Sequence, residues 1–302
     1  MNIFVPASLK EKAKEVLLKN FEATGGKYVC PSWPHYPHQW LWDSCFHAIA
    51  LAGLGLKDLA KEEIRRLFTF QREDGFIPHI QYKDKKVRIP VEAERFLYLN
   101  WRVHSAITQP PVLVRALKAI NDSEFTLEVF EKTKRFFLYF IRFQDPDSDG
   151  LISNFIPTET GRDATPEYDR FYLRIKGWGF FGRTFNTAAY FAWLFWTEFK
   201  YRKMGWDIAY VARSPVDVED LMFNCIWVDG MYILADLAQS QEEKEELQKF
   251  AKRTEDAIVE RCWDKDHETF RCLAKDNSFI KTLTVSNLLP LLLPNLPHEY
   301  AE

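Results

Sequence analysis

Apolar residues recur along this chain in two patterns. In the first, an apolar stripe faces a charged one. Residues 7–22 place Leu9, Ala13, Val16, Leu17 and Phe21 on one side and Lys10, Glu11, Lys14 and Glu15 on the other. Residues 57–72 repeat the pattern with Leu59, Ile64, Leu67 and Phe68. Residues 124–143 use Phe125, Val129, Phe136, Phe137 and Phe140, and residues 242–262 use Leu247, Phe250, Ala251, Thr254 and Ile258. A spacing near 3.6 predicts helices exposed on one side.

The second pattern is apolar almost all round with one polar stripe. In 38–54, Trp40, Asp43, Ser44 and His47 share a face among Leu41, Cys45, Phe46, Ile49 and Ala50. In 217–238, Asp220, Asn224 and Trp227 form the stripe. An unpaired buried polar group costs roughly 1–3 kcal/mol, so such stripes must face a polar network or a wet cavity.

Exposed helices alternating with buried ones predict two concentric rings in one domain spanning 1–302. The segment opening Thr108-Gln109-Pro110-Pro111 fits an inner helix with proline in its first turn. Short strands are predicted in 75–82, 151–156 and 268–273, and the basic stretch 81–95 as a surface excursion. No βαβ alternation occurs. Eight or nine helices emerge, short of the twelve that a closed ring of six hairpins needs. The chain reaches Glu302 through LLPLLLPNLPHEYAE, read as lying within or just after a buried helix, so an incomplete barrel is expected.

Composition adds one unusual feature: 25 Phe, 12 Tyr and 10 Trp. Aromatic faces serve cores, and they also pack on the apolar C–H face of a pyranose. The net charge of −3, with no basic stripe, gives no reason to expect nucleic acid or an anionic membrane as partner. Cys30, Cys45, Cys225, Cys262 and Cys272 are odd in number and scattered, which argues against a disulfide framework or a structural zinc. The first twenty residues lack a secretory pattern, and no apolar run reaches membrane-spanning length, so the expected home is the cytoplasm.

The richest polar segment is Glu159-Thr160-Gly161-Arg162-Asp163-Ala164-Thr165-Pro166. A carboxylate beside a glycine suits close approach of a substrate to the backbone, although a solvated turn has the same composition. Asp145-Pro146-Asp147-Ser148-Asp149-Gly150 opens like a calcium loop, but its twelfth position, where an EF-hand needs glutamate, is Ile156. A tight Asp/Gly turn is therefore expected, and no metal. His35, His38 and His79 lack the spacing or carboxylate partner of a metal site. Asp43 and His47, one helical turn apart, could orient each other or hold a sugar hydroxyl. No serine-hydrolase elbow or glycine-rich phosphate loop is present.

Five segments occur in order: YPHQWLWDSCFH from Tyr36, GFIPH from Gly75, TQPP from Thr108, ETGRDATP from Glu159 and VEDLMFN from Val218. Together they resemble the mannosylglycerate and glucosylglycerate hydrolase-like members of glycoside hydrolase family 63. Amylo-α-1,6-glucosidase-like proteins and, more distantly, trehalases are similar. The resemblance spans roughly Tyr36 to Pro294.

It implies an all-α (α/α)6 barrel, a small carbohydrate substrate, no cofactor, and hydrolysis of an α-glycosidic bond with inversion. The family's general acid is the Asp of an E-S-G-x-D motif, which falls on Asp163, with Thr160 in place of Ser. By the same motifs Tyr36, Trp40, Trp42, Asp43, Gln109 and Gly161 would line the sugar subsite, with Arg170 of YDRF as a carboxylate- or hydroxyl-binding arginine. The family's general base is a Glu in the final third of the barrel, beyond a tryptophan-rich segment. No residue here inherits that role, so the resemblance implies the N-terminal two-thirds of such a barrel. Two other readings stand beside it. One is a sugar epimerase or isomerase on the same fold, which needs paired histidines. The other is a carbohydrate-binding or assembly module without catalysis.

Overall fold

A computed structural model describes residues 6–82 and 104–301. Helices dominate, and three two-stranded ladders punctuate them. In chain order these are α1 (Ala7–Ala23), β1 (Gln39–Trp40), α2 (Leu41–Gly53), α3 (Lys57–Leu67) and β2 (Ile80–Gln81). Then come α4 (Leu113–Ile120), α5 (Ser123–Phe143), α6 (Gly179–Lys203) and the single turn α7 (Ile208–Val211). The chain ends with β3 (Val218–Glu219), α8 (Leu221–Asp236), α9 (Gln241–Arg261), β4 (Trp263–Asp264), β5 (Thr269–Phe270) and β6 (Leu273–Ala274). A 3-10 segment, Val285–Leu292, follows.

The two patterns sort into two layers. Helices α2, α4 and α8 form the inner one, α4 burying Leu113, Val114, Ala116, Leu117 and Ile120. Helices α3, α5 and α9 lie outside with charged faces to solvent, and α2 packs on α3 and α4 while α8 packs on α9. The α8 stripe faces a polar network: Asn224 exchanges two hydrogen bonds with the Ile152 backbone at 2.7 and 2.9 Å, and Trp227 Nε1 donates to Phe137 O at 3.0 Å. Gly230 on α8 lies so close to α5 that a Cβ there would sit 2.6 Å from Phe137 Cε1.

Several expectations need correction. Of the apolar face predicted for α1, only Leu17 and Phe21 pack on the core, while Leu9, Ala13 and Val16 are exposed. The predicted 38–54 helix begins at Leu41, because Gln39–Trp40 is extended and pairs with Ile80–Gln81. The helix predicted from Thr108 begins at Leu113, since each residue before Pro110 and Pro111 is pushed out of the helical region. Segment 151–156 contributes only a bridge, Asn154 to Val218. The leucine-rich stretch is not a buried helix; prolines hold it to a 3-10 segment, and Leu288, Leu291 and Leu292 face solvent. Helix α6 has no amphipathic period to reveal it, being aromatic on most sides. Trp178 just before it and Phe181 within it are 77% and 76% exposed. Beyond Tyr82 the predicted surface excursion lies outside the described residues. All five cysteines are buried and free. Among the described residues no helix is long and apolar enough to cross a membrane.

Candidate active site

The first turn of α2 is joined to two neighbouring segments through its otherwise orphaned N–H groups. Leu41 N donates to His79 O at 2.8 Å, Trp42 N donates to Gln109 Oε1 at 3.3 Å, and Asp43 N donates to its own carboxylate. His79 N in turn donates to Ile107 O at 2.8 Å. Trp40, just before the helix, meets Tyr36 edge-on at 6.2 Å and His79 at 5.5 Å. Its buried indole N–H has no hydrogen-bond partner among the described residues.

The loop carrying Asp163 approaches this turn from the other side. Pro157–Thr160 is a 3-10 turn that ends at Gly161 with φ 70°. A Cβ on Gly161 would stand 2.5 Å from Trp42 Cζ2, so glycine is required both for the backbone and for the contact. Glu159, Thr160 and Arg162 turn their side chains inward. Glu159 accepts from Phe155 N at 2.7 Å and Gln144 Nε2 at 3.3 Å. Thr160 Oγ1 donates to Pro157 O at 2.7 Å and accepts from Arg162 N at 3.2 Å, so threonine supplies the hydroxyl that serine has in the family's motif. Arg162 reaches Glu167 at 3.1 Å and Asp220, the N-cap of α8. Asp163 is left outward and exposed, and Ala164 N donates to Tyr190 Oη at 3.0 Å, tying the loop to α6.

Charge and burial then set protonation. Desolvation by surrounding protein raises the Asp163 carboxyl above its ordinary range even though solvent reaches the residue. Asp43 is pushed up to about 6, chiefly by desolvation, against its own N–H and with the charge of Asp163 adding. Tyr190 also feels the charge of Asp163. Beneath them, Arg162 between two buried carboxylates holds Glu167 below its usual value despite burial. Glu167, Asp220 and Cys272 place ligand-type atoms within 4.8 Å of one another, but the Arg162 guanidinium pairs with both carboxylates of that trio, which form an ion-pair network with it.

Tyr36, Trp40, Trp42, Asp43, Gln109, Gly161 and Asp163 therefore share one neighbourhood. Arg170 is not brought to it: its guanidinium donates to Ser278 Oγ at 3.1 Å and faces Asp276. The arginine that does turn into this neighbourhood is Arg162, one residue from Asp163. Trp40 is on a strand rather than on the face of α2, where it was expected beside Asp43. Sequence reasoning missed Tyr190 and its neighbour Trp193, which stacks with Phe171 at 6.0 Å, because aromatic residues fill 178–201 without a period. Burial lowers His79 to about 3, keeping the imidazole neutral, and His38 is buried too, so neither is placed for epimerase chemistry on a substrate.

An inner layer of helices covered by an outer one is the architecture of the helical-toroid glycosidases. A GH63 mannosylglycerate hydrolase from Thermus thermophilus, solved with Tris, superimposes with TM-score 0.83 and 25% identity, covering 97% of this chain and 75% of that one. Residues 36–302 match the mannosylglycerate hydrolase MGH1-like glycoside hydrolase domain, and the chain belongs to that family. Mannosylglycerate hydrolase from Rubrobacter radiotolerans is 27% identical over 93% of this chain and 69% of its own length. Mannosylglycerate hydrolase MGH2 of Selaginella moellendorffii is 32% identical over 56% of this chain, a match spanning 36% of that protein.

Proposed function

We propose that this chain carries the acid side of an inverting glycosidase acting on a small α-linked glycosyl conjugate such as mannosylglycerate or glucosylglycerate, with Asp163 as the general acid. The observation that carries this reading is the Gly161–Trp42 contact, which sets the Asp163 loop against the tryptophan-bearing turn of α2. An acid must hold its proton near neutral pH, and desolvation of Asp163 favours that. Trp40, Trp42 and Tyr36 would pack on the sugar ring, and Gln109 and Asp43 would hold its hydroxyls. Inversion also needs a base about 6.5–9.5 Å from the acid to activate water. We assign that role to no residue of this chain. The substrate class rests on the relatives' names and on a GH63 neighbour from T. thermophilus solved with glucose, at 26% identity.

The test follows both glycosides by release of free sugar and by tryptophan fluorescence on binding. Asp163→Asn should lower turnover at least about a hundredfold, the scale of losing a general acid, while leaving binding largely intact. Near-normal turnover in that variant would reject the acid, and failure of wild type to bind either glycoside would reject the substrate class.

A further inference from the structure

Helix α6 and the segment after it enclose a cleft of about 330 Å³, and none of its lining residues belongs to the Asp163 neighbourhood. Trp193, Trp196 and Lys200 follow one another at three- and four-residue steps, so a single face of α6 makes one wall. Tyr210 on α7, Arg213 just after it and Ser214 line the rest. This lining is held in place by bonds of its own. Tyr201 Oη donates to Ser214 Oγ at 2.8 Å, and Val216 N donates to the same oxygen at 3.1 Å. Lys275 Nζ donates to the carbonyls of Ala212 and Ser214 at 3.2 and 2.7 Å. A ligand would therefore find the cleft formed and pay little to order it.

Two kinds of group stand uncommitted there. Trp196 is 59% exposed and Tyr210 39%, so ring surface faces solvent inside a concavity. Among the described residues neither the Lys200 ammonium nor the Arg213 guanidinium has an ion pair or a hydrogen bond. The other cations close by are engaged: Lys203 lies over the Phe199 ring at 4.8 Å, and Lys275 is taken up by carbonyls. The side-chain hydroxyls of Thr197, also in the lining, and Tyr210 make no hydrogen bond among the described residues either. Flat apolar surface, two free positive charges and two free hydroxyls thus converge on one space.

We propose that this cleft binds a monosaccharide phosphate, with the pyranose on Trp196 and the phosphate held by Lys200 and Arg213. The C–H face of the ring packs on the indole, and Thr197 and Tyr210 take its hydroxyls. A guanidinium fork beside an ammonium suits a phosphate, whose charge at neutral pH is close to two, better than a carboxylate with one. The volume lies at the low end of the roughly 300–1,000 Å³ of small-molecule sites, which fits one ring and its phosphate rather than a nucleotide. Trp193 also packs on Tyr190 at 6.1 Å, and Tyr190 Oη accepts from Ala164 N of the Asp163 loop. The cleft therefore adjoins the support of that loop. Nothing in this assignment depends on Asp163 being an acid.

Calorimetric titration of the whole chain with glucose 6-phosphate, glucose, inorganic phosphate and AMP, alongside thermal unfolding in each, tests this. Glucose 6-phosphate should bind saturably and raise the melting temperature, with glucose and inorganic phosphate each at least about tenfold weaker. Arg213→Gln and Trp196→Ala should each weaken it at least about tenfold, the scale of losing a charge-assisted hydrogen bond. Both side chains are exposed, so both variants should fold. Tyr36→Ala, in the Asp163 neighbourhood, should leave this binding unchanged. Absence of heat and of any thermal shift up to roughly 10 mM glucose 6-phosphate would overturn the site, since even millimolar binding shows there. Equal affinity for glucose or inorganic phosphate would overturn it too, as would wild-type affinity in Arg213→Gln or Trp196→Ala. Tighter binding of AMP would give the cleft to a nucleotide and reject the sugar.

Discussion

Asp163 raises the proton affinity of Asp43: the charge of the carboxyl on the loop after Gly161 acts on the carboxyl in the first turn of α2. Neutralising one should therefore be visible at the other. In Asp163→Asn the Asp43 pKa should fall from about 6 by less than about one unit, because desolvation remains. Carboxyl-carbon NMR titration reads this directly. An unchanged value would mean that the two side chains do not share a field.

Gly161 serves two demands at once, so its replacement should be costly. Gly161→Ala forces an L residue to φ 70° and drives a methyl into the Trp42 indole. A loss of about 1–3 kcal/mol is expected by urea unfolding, together with weaker sugar binding. Gly53→Ala is the control: nothing lies within 4 Å of its added Cβ, and stability should hold or rise slightly.

Arg162 lies between Glu167 and Asp220, both essentially buried. Arg162→Ala should cost about 3–5 kcal/mol at pH 7, since two buried carboxylates lose their counter-ion. Acidification should restore part of that loss as the carboxylates take up protons. Unfolding midpoints at pH 7 and pH 5 check the sign.

Buried carboxyls make wild-type stability depend on pH, and two glutamates illustrate the sign. Burial pushes Glu63 up to about 7 and Glu159 up to about 8, so the folded state holds protons that the unfolded chain releases near its ordinary value of 4.5. Their contribution is complete below that ordinary value and is lost as pH rises through 7 and 8. Stability should thus decline from pH 5 to pH 8. Glu159→Gln, which cannot ionise, should flatten the slope by roughly 1–3 kcal/mol across that range.

Much of this was legible in the sequence, and for identifiable reasons. Helices α3, α5 and α9 carry charged faces, so the 3.6 period shows them plainly. The polar stripe of α8 foretold its hydrogen-bonded network because a buried Asn224 must find partners. Helix α6 stayed hidden because aromatic residues on most sides leave no period to read. Within the site, local motifs led to Asp163 and the Trp40–Asp43 turn. Arg170 lies against Ser278 and Asp276 instead, because nearness to Asp163 in sequence says nothing of which way a charged side chain points, and it is Arg162 that turns inward. Partners gathered from distant elements, such as Asp220 against Arg162, have no local signature at all.

The aromatic face of α6 has a practical consequence for anyone handling the protein. The sequence isoelectric point is about 6.2 and the net charge at neutral pH only −3, so electrostatic repulsion between molecules is weak and vanishes near pH 6. Solubility should be poorest in that window, with Trp178, Phe180 and Phe181 free to meet their counterparts on another molecule. Asp43 titrates in the same window. Dilute samples are needed there if protonation is not to be confused with clouding.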